Sequence, residues 1–233
     1  MNIPKILAAG ALASTFAFAQ EGAAPKADLN SKPGVGIHGD FNYSYLIGLP
    51  QDWYLGDDAD APSGMGFDVG LRGRIPMAGI LQFAPEINFH YAQLAMSEDE
   101  GDHKFKQMDL EAPLMMRAII KDRFYVAAGV QLSLSLSNEV SFEQEEIKMA
   151  GDLGTLKDYK YEEDIDQAGF GLGLAFGVGG FVMERLSIDV GFVLGLTDTY
   201  PDISHENGKN VLFDSMDGGK QMTFKVGAGF WFL

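Results

Sequence analysis

The sequence predicts an all-β chain folded as an eight-stranded antiparallel up-and-down transmembrane β-barrel. Three observations predict it. Apolar residues recur at every second position in eight segments, the period of a strand whose successive side chains point to opposite faces. The connections between these segments alternate between short and long. One face of the segments is apolar and almost uncharged, while the other is rich in glycine and small residues.

The first segment, Gly34 to Gly48, carries Val35, Ile37, Phe41, Tyr43, Tyr45 and Ile47 on one parity and Gly36, His38, Asp40, Asn42 and Ser44 on the other. The second sets Met65, Phe67, Val69, Leu71 and Ile75 against Gly66, Asp68, Gly70, Arg72 and Arg74. The third sets Leu81, Phe83, Ile87, Phe89 and Tyr91 against Gln82, Ala84, Glu86, Asn88 and His90. The fourth alternates Leu110, Ala112, Leu114 and Met116 with Asp109, Glu111, Pro113 and Arg117. The fifth alternates Val126, Val130, Leu132 and Leu134 with Tyr125, Gly129, Gln131 and Ser133.

The sixth segment lies within Gln167 to Met183, 17 uncharged residues that resemble a membrane-spanning helix. Six of them are glycine, and each costs a helix ~1 kcal/mol relative to alanine. Five of these glycines, at 169, 171, 173, 177 and 179, alternate with apolar or small residues, so the segment reads as a strand with one small-residue face. The seventh sets Leu186, Ile188, Val190, Phe192 and Leu194 against Ser187, Asp189, Gly191 and Gly195. The eighth sets Met222, Phe224, Val226, Phe230 and Phe232 against Thr223, Lys225, Gly227, Gly229 and Trp231.

Short connections fall at 76–79, 120–123 and 182–185, and long ones at about 49–63, 95–104, 138–166 and 198–218. Short turns at one end and long loops at the other mark outer-membrane barrels, and ~9–11 tilted residues suffice to cross the bilayer. The apolar parity then faces lipid, the reverse of a soluble barrel. The other parity fills a lumen that eight strands leave just wide enough for side chains. It carries a predicted charge network of Asp68, Arg72, Arg74, Glu86, Glu111, Arg117, Asp189 and Lys225, read either as a salt-bridged plug or as the lining of a narrow pore. Tyr43, Tyr45, Trp53, Tyr54, Tyr91, Tyr125, Tyr200 and Trp231 lie near strand ends and are candidates for the aromatic girdles at the two interfaces.

Ahead of the barrel, residues 1–19 read as a secretory signal peptide, with Lys5 in its basic region, an apolar stretch from Ile6 to Phe18 and a small-x-small site at Ala17-Phe18-Ala19. Residues 20–33 read as a flexible periplasmic leader and 34–233 as the barrel domain.

The chain has 17 Lys and Arg against 33 Asp and Glu, a balance that excludes a nucleic-acid binder working through a basic surface. It has no cysteine, which excludes disulfides, thiolate catalysis and Cys-ligated metals. Within the four long connections, residues 52–60, 97–103, 138–166 and 198–217 hold 23 of the acids and 4 of the bases, so the acidity gathers at one rim. Within it, Asp57, Asp58 and Asp60, and Glu98, Asp99, Glu100 and Asp102, offer hard oxygen ligands for divalent cations, although neither run matches an EF-hand loop. The segment 138–166, with ten acids and three lysines, is expected to be a mobile external loop.

Asp109 to Arg117, DLEAPLMMR, resembles the LEIPLLLK strand of Bacteroidota-type outer-membrane barrels, and Phe124 to Leu132, FYVAAGVQL, resembles the strand that follows it. On these stretches the chain is similar to the eight-stranded outer-membrane β-barrel family that includes OmpA-like, OmpW-like and PorT-like porin-family proteins. Phe224, Val226, Phe230 and Phe232 resemble the β-signal read by the barrel-assembly machinery, with the departure that the chain ends on Leu233. The resemblance implies Sec-dependent export to the outer membrane of a Gram-negative cell envelope, with both termini periplasmic. It implies as partners the barrel-assembly machinery, periplasmic chaperones, and the lipid and lipopolysaccharide of that membrane. It leaves three roles open: a structural or passive surface protein, a narrow small-solute channel, and a secretion or assembly factor of the PorT-like type.

Some small barrels of this membrane are lipid A-modifying enzymes or proteases, but this sequence offers no matching constellation. His38 and His90 fall on the inward parity, and His103 and His205 lie in loops without a serine partner beyond the adjacent Ser204. No HExxH, GxSxG or phosphate-binding glycine motif follows a suitable pattern. The reading is a structural barrel with no catalytic residues and no cofactor.

Overall fold

The computed structural model describes residues 32–47, 61–98, 101–121, 123–148, 155–165, 169–199 and 219–232. Nine strands run in chain order: β1 (Gly34–Ile47), β2 (Ser63–Pro76), β3 (Leu81–Glu98), β4 (Gly101–Ile120), β5 (Phe124–Lys148), β6 (Thr155–Ile165), β7 (Phe170–Met183), β8 (Leu186–Gly195) and β9 (Lys220–Trp231). Every pairing is antiparallel. The order β4-β3-β2-β1-β9-β8-β7-β5 closes on itself through the β4–β5 pairing, so eight strands form a barrel without edges. Among the described residues β6 pairs only with β5, above the stretch of β5 that pairs with β7. It therefore continues the β7 position of the wall rather than adding a ninth position.

The period-two pattern sets the faces as the sequence predicts. Phe41 is 82% exposed and Met65, Phe170 and Ile87 also point outward, while Asp68, Arg72, His90, Glu111 and Arg117 are buried inside. Most large apolar side chains are outside and these charges are inside, while a few aromatic and aliphatic residues such as Trp231 and Phe105 are buried. In water so much exposed apolar surface would drive association. Against lipid tails it is the required exterior, and barrel closure satisfies the backbone groups that hydrocarbon cannot.

The three short turns lie at one end. In the β2–β3 turn, Gly79 adopts φ 66°, a conformation glycine reaches without Cβ strain, and Met77 N donates to Leu81 O at 2.9 Å. In the β4–β5 turn Lys121 takes the same region at φ 53°. The described ends of the chain lie at this end too, where Phe232 N donates to Val35 O at 2.9 Å.

At the opposite end the strands outrun the predicted ones. The expected loop 95–104 is a hairpin, with Ser97 opposite Asp102 and Glu98 opposite Gly101. The expected mobile loop 138–166 is largely strand, with Asn138 opposite Ile165 and Lys148 opposite Thr155. The 25 residues of β5 extend roughly 80 Å, or about 60 Å along the axis at a barrel tilt, against an apolar band ~25 Å tall. Beyond lipid depth the backbone ladder persists, but no lipid selects apolar residues on alternate positions. The hydrophobic period therefore fades while the strand continues. A register shift between Met108 and Asp109, where Asp109 pairs with Ser135 and Met108 with Ser137, interrupts the strict alternation at the same level.

Candidate functional site

The lumen is the one interior this fold builds, and its contents lie in layers from the turn end upward. The floor is aromatic. Trp231, Tyr125, Phe181 and Ile119 form one buried cluster, with ring centroids 5.9 Å apart for Tyr125–Phe181 and 6.3 Å for Phe181–Trp231. Trp231 and Tyr125 are 1% and 4% exposed, so they are lumen residues and not members of a lipid-facing girdle. Their inward parity places them there, and nearness to a strand end does not override it. Tyr43, Tyr45 and Tyr91 do stand on the outer face, half-buried, whereas Trp53, Tyr54 and Tyr200 lie outside the described residues. Guanidinium groups cap the floor: Arg74, Arg117 and Arg72 lie 5.0, 5.8 and 5.9 Å from the Trp231 ring, and Arg117 lies 4.9 Å from Tyr125.

The next layer is ionic. Arg72 Nη1 donates to Asp189 Oδ2 at 2.6 Å, reaching from β2 to β8, and its Nε lies 3.8 Å from Glu86. Arg117 Nη2 donates to Glu86 Oε1 at 2.6 Å. Gly229 makes room for Arg72: a Cβ there would lie 3.0 Å from both the guanidinium carbon and Ser187 Oγ. His38 Nδ1 donates to Asp40 Oδ2 at 2.6 Å, and its Nε2 lies 2.7 Å from Asn88 Oδ1.

Above this, Lys225 Nζ donates to Glu111 Oε2 at 2.6 Å and to Asp68 Oδ1 at 3.1 Å. His90 Nδ1 lies 2.7 Å from Asp68 Oδ1, Asn42 donates to Asp68 at 3.0 Å, and Gln131 donates to Glu111 at 2.8 Å. Ligand atoms of Asp68, His90 and Glu111 lie within 4.8 Å of one another, a spacing that suits a metal ion. The Lys225 ammonium already supplies the positive charge between the two carboxylates.

All eight predicted lumen residues face inward. Seven form the ion-paired layers, and Arg74 joins the floor through Trp231. His38 and His90, which were not among the predicted network residues, share the parity of Asp40 and Asp68 and stand beside them. Each contacts a carboxylate, and neither is hydrogen-bonded to a hydroxyl among the described residues. Asn42, Asn88 and Gln131 were legible only as fillers. Of the rim candidates, Asp57, Asp58, Asp60, Asp99 and Glu100 lie outside the described residues, as does His205. Glu98 and Asp102 sit at the ends of β3 and β4. Residues 1–19 and 20–31 are likewise outside the described residues.

Cavities lie among these layers and toward the far end of the lumen. One of about 80 Å³ lies beside Arg117, Tyr125, Ala175 and Asp189. Another, of about 430 Å³, lies beside Gln107, Asp109, Ser135, Gly171 and Thr199, toward the end with long connections.

Among solved structures, the chain is similar to Neisserial surface protein A at 16% identity, covering 86% of this chain and 99% of that one, with a TM-score of 0.46. It is similar to Ail, the attachment invasion locus protein of Yersinia pestis, at 15% identity with the same coverage and a TM-score of 0.45. For the outer membrane protein OprG from Pseudomonas aeruginosa the identity is 13%, the coverage 85% and 95%, and the TM-score 0.36. No curated protein matches the sequence. The family described as outer membrane protein beta-barrel domain matches residues 18–200, well over half of the chain. The chain therefore belongs to the outer-membrane β-barrel domain family and is a protein of the bacterial outer membrane.

Proposed function

We propose that this protein is a passive structural barrel of the outer membrane, with a lumen sealed to solutes by its own side chains and no catalytic role. The observation that carries this reading is the set of ion pairs that span the lumen. β9 and β4 stand on opposite walls, and Lys225 joins them through Glu111. Arg72 on β2 reaches Asp189 on β8. Beneath these contacts the Trp231, Tyr125 and Phe181 rings close the turn end. A conducting pore needs water along its axis, whereas these groups satisfy one another at 2.6–3.1 Å.

The orientation we assign places the short turns and both termini in the periplasm, the usual asymmetry of such barrels. The acidic connections then lie at the cell surface, where divalent cations bridge them to the anionic headgroups of lipopolysaccharide. Liposomes reconstituted with the purified barrel provide the test. We expect no swelling in small sugars above protein-free liposomes. Rapid swelling would instead assign the narrow-channel role, and co-purification of a stoichiometric envelope partner would assign the assembly role.

A further inference from the structure

We propose that the upper lumen cavity is a binding site for a small organic amine, a primary ammonium or polyamine. The cavity, about 430 Å³, falls within the ~300–1,000 Å³ typical of small-molecule sites. Gly169, Gly171 and Gly173 line it; a Cβ built at Gly169 would meet nothing within 4 Å, whereas one at Gly171 would collide with the Ser133 hydroxyl and one at Gly173 would lie 3.1 Å from Leu194 O.

The lining chemistry selects the guest. It includes the carboxylates Asp109, Glu111 and Asp198, several amides and hydroxyls, and no Lys, Arg or His among the described residues. Deeper in the lumen each acid faces a cationic or imidazole group: Asp189 with Arg72, Glu86 with Arg117, Asp68 with Lys225, Asp40 with His38. Glu111 is held by Lys225 and Gln131. Asp109 and the exposed Asp198 are the exceptions, with no ion pair among the described residues. The register shift at Met108/Asp109 sets Asp109 opposite Ser135, which also lines the cavity. A half-buried carboxylate beside a cavity that opens toward the long connections, with amides and hydroxyls around it, favours a guest that brings a positive charge and N–H donors. An anion would meet only like charge. A neutral sugar would satisfy the amides but leave Asp109 without a counter-charge. This inference stands whether or not the lumen conducts ions.

Titration calorimetry of the detergent-solubilised full-length mature protein with spermidine, in about 0.2 M NaCl to screen the acidic rim, tests it. We expect saturable binding, weakened about tenfold or more by Asp109→Asn. We also expect its loss when the cavity is filled by Gly169→Phe, which keeps every acidic group. Ser135→Met serves as a second filling variant, and heat-modifiable gel migration verifies folding of each. Glucose and sulfate should not bind. Absence of saturable spermidine binding overturns the proposal. So does binding that survives both filling variants, which would mark attraction to the rim alone, and so does glucose binding of equal strength.

Discussion

Lys225 on β9 lies 2.6 Å from Glu111 on β4, joining two strands that stand four positions apart in an eight-strand ring. The pair is a strut across the full width of the lumen. The same ammonium also reaches Asp68 on β2 at 3.1 Å, so one side chain ties three parts of the wall together.

Removing that strut should cost far more than a surface charge. Lys225→Met leaves Asp68 and Glu111 as neighbouring buried carboxylates without their ammonium. We expect a loss of about 3–5 kcal/mol, measured by urea unfolding in lipid vesicles. The double variant Lys225→Met, Glu111→Gln removes one stranded charge and should recover part of the loss. Equal stability of the single variant and the wild type would show that the strut carries no weight.

Trp231 should behave as a lumen residue. The chain has two tryptophans, so Trp53→Phe isolates Trp231. Its fluorescence should resist quenching both by brominated lipid tails and by iodide in the buffer. Strong quenching by brominated lipid would return it to the lipid-facing girdle. Trp231→Ala should destabilise the barrel by roughly 3–5 kcal/mol through the cavity it opens under three guanidinium groups.

Gly229 receives the Arg72 guanidinium, and a side chain there must displace it. We expect Gly229→Val to lower stability by about 1–3 kcal/mol, read from the temperature at which heat-modifiable migration is lost. Glycine 169, where a Cβ meets open space, should tolerate valine without such a shift.

The β5–β6 hairpin gives a sharper pattern than a loop would. Among the described residues β6 pairs along one edge only, so amide exchange should be slow at alternate residues of 155–165 and fast between them. Uniformly fast exchange across 138–166 would restore the mobile-loop expectation.

The eight barrel strands and their faces were legible because lipid on one side and a crowded lumen on the other impose a two-residue period. All eight charged lumen residues could be assigned on parity alone. The pairing among them could not, since Arg72–Asp189 and Lys225–Glu111 depend on which strands oppose across the ring. Parity places His38 and His90 inside, but nothing local distinguishes a filling imidazole from one held by Asp40 or Asp68. Tyr125 and Trp231 were misplaced by weighing closeness to a strand end above parity. The strand extensions at 95–104 and 138–166 left no hydrophobic trace, since no apolar solvent surrounds them there.

Planar-bilayer recording of the wild-type barrel beside a Lys225→Ala, Arg72→Ala double variant tests the central claim, that cross-lumen ion pairs seal an outer-membrane barrel, most directly. Heat-modifiable migration of both proteins verifies that each is folded before insertion. We expect a wild-type trace without unitary steps and discrete openings once both struts are removed. Reproducible unitary conductance from the wild-type protein, unchanged by the double substitution, would contradict the account.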